Sequence, residues 1–130
     1  MSFAAGLRAL LLADTNLAEL VDERIYPIVA KQGTELPCVT YQQISGPNLQ
    51  ELTGPAGLQT VRYQFNCFAG TYAEATSVAA ALTAALDGYQ GTLAGGATIQ
   101  SSAQEDARDG FEEMPRCYSR EVDFEFCIKE

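Results

Sequence analysis

Apolar positions along this chain recur first at helical spacing and later at strand spacing, and the changes of period divide it into elements. Phe3, Leu7, Leu10 and Leu11 predict a helix over residues 3–13, with Ser2 as its N-cap and Arg8 on the opposite face. Asp14, Thr15 and Asn16 interrupt it with residues that favour caps, and Leu17, Leu20 and Val21 stripe a second short helix. Arg24-Ile25-Tyr26-Pro27 reads as a short strand closed by proline, and residues 31–35 as a polar loop. A strand follows from Pro37 through Ile44, since proline is tolerated where its missing N–H need not pair. Gly46 to Gly57 is rich in glycine and proline and reads as a long loop.

Residues 59–69 carry the clearest strand pattern. Val61, Tyr63, Phe65 and Cys67 alternate with Arg62, Gln64 and Asn66, so one face is expected to be buried and the other wet. Phe68 breaks the polar side and marks a second contact. Thr71 to Glu74 has the form of a capping box, and Ala75, Val78, Ala79, Leu82, Ala85 and Leu86 stripe the helix behind it. Gly88 suits a left-handed C-cap. Gly95-Gly96, between Leu93 and Ile99, predicts a hairpin turn, with a short polar strand over 97–104. Glu105 to Arg116 reads as a second long, acidic loop, and the last strand runs from Cys117 to Ile128. Arg120 shares parity with that strand's apolar set, a place for a sheet end or a pairing with an acid. The order α-α-β-β-β-α-β-β does not alternate as a parallel doubly wound sheet would. The expected fold is α+β: one domain over 1–130, a mostly antiparallel mixed sheet, and helices packed on one face.

Composition narrows the function. The 130 residues suit one domain with its own core. The net charge of -9 leaves too few Lys and Arg for gripping phosphates, although DNA could pass such a surface without sticking. Residues 105–130 hold nine acids against four bases, so acidity is densest there. With no histidine, neither a Ser–His nor a Cys–His pair can be built, and no GxxxxGK[ST] loop occurs. An enzyme is therefore not expected, nor any cofactor. Cys38, Cys67, Cys117 and Cys127 lack zinc-site spacing and read as small buried thiols. Glu105, Asp106, Asp109, Glu112 and Glu113 do not match a calcium loop and read as solvated carboxylates rather than a metal site. No apolar run is long enough to span a bilayer and the first residues lack the charged start of a leader, so no membrane role and a cytoplasmic site of production are expected.

Several segments together resemble the phage tail-completion (tail-terminator) family. They are Leu7 to Asp14 with Leu17 to Val21, Arg24-Ile25-Tyr26-Pro27, Leu36 to Gln42, the strand–turn–helix from Tyr63 to Ala75, and the closing strand near Tyr118 to Phe126. The likeness covers nearly the whole chain and is weakest in loops 46–57 and 89–116. It implies a structural virion protein, assembled in the host cytoplasm, that forms a ring, expected to be a hexamer, on the head-proximal end of a tail tube. The ring would end tube polymerisation and present a joining surface to the head. The implied partners are further copies of the chain, the major tail tube protein and a head-completion or connector protein, with DNA passing through the channel. Asn48, Leu49, Glu51 and Leu52 in the first loop, and Glu105, Asp106, Asp109, Glu112 and Glu113 in the second, are the candidate interface and channel residues. The alternatives are a neck adaptor on the head side and a monomeric acidic binding module.

Overall fold

The computed structural model describes residues 3–30, 33–46, 58–113 and 116–129. Its elements are α1 (Phe3–Leu12), α2 (Thr15–Val21), β1 (Ile25–Pro27), β2 (Cys38–Ser45), β3 (Leu58–Ala69), α3 (Tyr72–Leu86), β4 (Gly91–Thr92), β5 (Thr98–Glu113) and β6 (Arg116–Lys129). The strands form one sheet in the order β1-β2-β3-β6-β5-β4. Only β1 and β2 run parallel; every other pairing is antiparallel. This is the expected α+β architecture, and the helices cover one face of the sheet.

The helix ends follow the chemistry of their caps. Asp14 accepts the Leu17 N–H at 2.9 Å and starts α2. Thr71 accepts the Glu74 N–H at 3.2 Å and starts α3; the return bond from the Glu74 carboxylate that a full capping box requires is not made among the described residues. Gly88 follows α3 at φ +75, a conformation that costs glycine little. Ser2, expected as the first N-cap, lies outside the described residues.

The helices bury their stripes against the inner face of the sheet. Leu7 and Leu11 of α1, Leu17 and Val21 of α2, and Val78, Leu82 and Leu86 of α3 meet Val39, Phe65, Phe124, Phe126 and Ile128 in one core. Phe3 at the start of α1 packs edge-on against Tyr63 and Phe126, with ring centroids 5.5 and 5.7 Å apart. Arg8, expected to face away from the core, instead bends back to donate from Nε to the Ile25 carbonyl at 2.7 Å. That bond ties α1 to the strand edge.

Two sequence expectations need correction. Of the stretch Glu105 to Arg116 expected as a loop, residues 105–113 are strand, and the strand expected over 97–104 is not short. Residues 98–113 form β5 and Arg116 opens β6, paired from Thr98↔Lys129 to Glu113↔Arg116. Bulges between Ile99 and Ser101 and between Gln104 and Asp106 shift the strand's phase, which erases the period-two signal. The outer half of β5 also buries little on either face, so it shows no apolar alternation to read. The expected turn at Gly95-Gly96 is present: β4 pairs with Thr98 and Ile99, and both glycines have positive φ.

Candidate assembly surfaces

Three features of the sheet lie outside the helix-covered core. The first is the face opposite the helices. There, alternate residues of four strands join in a polar ladder. Gln42 donates to Gln64 at 2.9 Å, Gln64 donates to Glu121 at 2.9 Å, and Arg108 donates to Glu121 at 3.1 Å. The Arg108 guanidinium also holds both oxygens of Asp123, at 3.1 and 3.2 Å, and pairs with Asp106. Asp123 is buried despite its charge, and Arg108 supplies the compensation. The three acids raise the guanidinium's affinity for its proton in turn, with Asp123 the largest contributor.

The second feature is the end of the β5–β6 hairpin on its inner side. Arg120 donates to Asp109 at 2.7 Å, and the Tyr72 hydroxyl, from the first turn of α3, donates to the other oxygen at 3.1 Å. Arg120 therefore pairs with an acid, as its parity predicted. Tyr118 packs at a tilt against Phe111, with ring centroids 4.9 Å apart, and edge-on against Tyr72 at 6.5 Å, and Arg116 lies 5.5 Å over the Phe111 ring. These are residue types that dominate binding energy at interfaces.

The third feature is a groove of about 470 Å³ on the face away from the helices, where Ile28, Val29, Ala30, Gly33, Thr34 and Leu36 stand over β2 and β3. Cys38, Thr40, Asn66, Phe68 and Cys117 form its base, and Glu112 of β5 stands at its edge. Phe68, whose break in the polar pattern suggested a second contact, lines this groove. The wall is apolar and exposed: Ile28 is 69% exposed and Val29 73%. The Val29 N–H bonds the Pro27 carbonyl at 2.7 Å and holds Ile28 at φ +64, a conformation unusual for a β-branched residue. The Asn66 Oδ1 atom is buried with no hydrogen-bond partner.

The sequence-derived site residues fare unequally. Asn48, Leu49, Glu51 and Leu52 lie outside the described residues. The five acids of the second segment sit along one strand but do not form one cluster. Asp106 and Glu112 share the groove side with Arg108, whereas Asp109 lies on the helix side beside Arg120, so Asp106 and Asp109 cannot share an ion. Asp106 is held below the usual carboxylate range by the Ala107 N–H first and by Arg108 second. Asp109 is lowered chiefly by Arg120, then by Tyr72. Glu105 and Glu113 are exposed and make no ion pair among the described residues. Sequence reasoning missed the role of Arg108, which would have been legible had residues 105–113 been read as a strand, since Asp106 and Arg108 then share a face. It also passed over Ile28-Val29, an apolar pair between a proline and a polar segment.

Known proteins place these surfaces in a context. The profile of a family described as "Tail completion protein gp17" matches residues 5–129. Among solved structures, a chain in the virion of a native gene transfer agent particle superposes with a TM-score of 0.76 at 17% identity. That alignment covers 99% of this chain and 96% of the other, and it shows a shared fold. No curated protein sequence matches. A family match over nearly the full length, joined to the same α+β fold, leads to one conclusion: this chain belongs to the tail completion protein gp17 family, structural proteins of phage tails.

Proposed function

We propose that the chain closes a ring, expected to be a hexamer, over the head-proximal end of a phage tail tube, ends tube growth there, and offers the head connector its joining surface. The observation that carries this reading is the family match across residues 5–129. The fold shared with a gene transfer agent virion chain supports it. Its contacts would be further copies of the chain, the tail tube protein and a head-side connector, in a particle assembled in the host cytoplasm. The segment carrying Asn48, Leu49, Glu51 and Leu52 joins Gly46 to Leu58, and it reaches a neighbouring copy in this reading.

A ring of identical subunits needs two different patches that meet around a closing rotation. The groove, the aromatic hairpin end and the edge of β5 beyond its pairing with β4 supply surface for such contacts. DNA would pass the channel without specific binding, because an acidic lining repels phosphates. Of the acids considered for that lining, Asp106 and Asp109 are already paired to arginines, which leaves Glu105, Glu112 and Glu113, and of these Glu105 and Glu113 lie clear of the groove.

Electron microscopy of a lysate lacking this gene tests the reading. Filled heads beside unattached tails of uneven, abnormal length are the expected result. Tails of normal length with unjoined heads would instead assign the chain to the neck, and intact infectious particles would overturn the reading.

A further inference from the structure

The groove and the opposite end of the sheet carry complementary chemistry. The register puts Cys38, Phe68 and Ser119 together at one end of the β2-β3-β6 sheet and Ser45, Arg62 and Leu58 toward the other. The exposed large aliphatic side chains among the described residues divide the same way. Ile28, Val29 and Leu36 stand at the groove; Ile44 and Leu58, 41% and 43% exposed, stand at the far end. Ile44 is the extra residue of the β2 bulge, next to the Ser45↔Arg62 pair.

The polar groups are sorted too. At the groove the groups are acceptors: the buried Asn66 Oδ1, which has no hydrogen-bond partner, and the exposed Glu112 carboxylate, which makes no ion pair among the described residues. At the far end they are the Ser102 hydroxyl, level with Val61 through Phe126, and a cationic donor. Arg62 has a buried Nε with no hydrogen-bond partner and forms no ion pair among the described residues. A buried polar atom left unpaired is unfavourable, so each end gains when a partner of the opposite kind arrives. Acceptors beside apolar surface at one end and a cation beside apolar surface at the other fit each other, whereas two groove ends meeting would oppose carboxylate to carboxylate.

We infer that copies of this chain dock head to tail, with Ile44 and Arg62 of one copy seated in the groove of the next, against Ile28, Val29, Asn66 and Glu112. The inference rests on the ring reading above and names the contact that closes it. Ile28 is held in its unusual conformation because that presents the Ile28-Val29 pair to the neighbour. The groove is incomplete in a single copy, and the neighbouring copy fills it.

The test is a cross-link made while the chain sits on tail tubes. Val29→Cys and Ile44→Cys are combined in a Cys127→Ser background, incubated with tubes from a lysate lacking the gene, and treated with a short bis-maleimide. The expected products are a ladder extending past the dimer for the double variant, and dimers only when the two single variants are mixed. Capped tubes with no ladder, or a ladder that stops at the dimer in the double variant, would overturn this docking while leaving the cap reading intact. Absence of the parent chain from the tube ends would overturn both. A charge exchange checks the polar half. Arg62→Glu or Glu112→Arg alone should lower the amount of chain sedimenting with tubes about tenfold, and the two together should recover it to within about threefold. No recovery in the pair would mean that the two residues do not meet.

Discussion

Cys67 shows how far one side chain's chemistry follows from its place. It lies on the inner face of β3, fully buried beside Phe65 and Val122, and burial pushes its thiol up to about 12. At pH 8 only about one such thiol in ten thousand is ionised, and the thiolate is the reacting species. Alkylation of the native protein at pH 8 should therefore reach half-buried Cys127 first and Cys67 last, read by peptide mass after timed quenching. Early labelling of Cys67 would mean that the inner face opens to solvent. Acids answer to their partners in the same way. Arg120 and Tyr72 hold the Asp109 carboxyl low, so its stabilising contribution is complete above the ordinary carboxylate range and is lost as pH falls through its lowered value. Amide protection along the β5–β6 hairpin, taken relative to the intrinsic exchange rate at each pH, should be unchanged from pH 7 to about 5 and fall only below about 4, where carboxylates protonate. Loss of protection near pH 6 would contradict this account, and Asp109→Asn should blunt the acid response.

Elements were legible where one face of them is buried. The stripes of α1, α2 and α3 and the alternation of β3 and β6 repeat a single period against a single core, so residue type alone reports their inward faces. β5 was not legible because it is held by pairing with β6 and by ion pairs to Arg108 and Arg120, and its two bulges break the phase. The groove was invisible for a different reason: it exists only because the Pro27–Val29 turn points two aliphatic residues outward, which no periodicity encodes. Gly6 gives a test at this scale. It sits in α1, where a Cβ would fall 2.6 Å from the Ala94 carbonyl oxygen and 3.0 Å from the Leu93 Cβ. Alanine gains about 1 kcal/mol in helix propensity, but forcing the helix off the Leu93-Ala94 turn costs about 1–3 kcal/mol. Gly6→Ala should therefore be neutral to destabilising by up to about 2 kcal/mol in urea unfolding, and a clear gain in stability would show that the turn yields freely.

At the scale of the whole molecule, the densest acidity lies on two paired strands, β5 and β6, which carry eight of the seventeen acids. Arginines neutralise Asp106, Asp109 and Asp123 within the fold, so the charge offered outward along β5 comes chiefly from Glu105, Glu112 and Glu113. If Glu105 and Glu113 line a DNA channel, replacing both with lysine should slow DNA exit from assembled particles about tenfold or more without reducing the number of joined heads and tails. Ejection kinetics that match the parent would remove these two residues from the channel.

The hairpin end has a spectroscopic consequence. The chain has no tryptophan, so tyrosine governs its near-ultraviolet signal. Of its six tyrosines, Tyr118 meets both Phe111 and Tyr72 on one side of the hairpin, while Glu112 and Cys117 border the groove on the other. A neighbour pressing on the groove side shifts the same two strands that fix the ring geometry behind them. Near-ultraviolet circular dichroism should therefore change as subunits join, and Tyr118→Phe should remove most of that change, which gives the protein an unlabelled optical gauge of its own assembly.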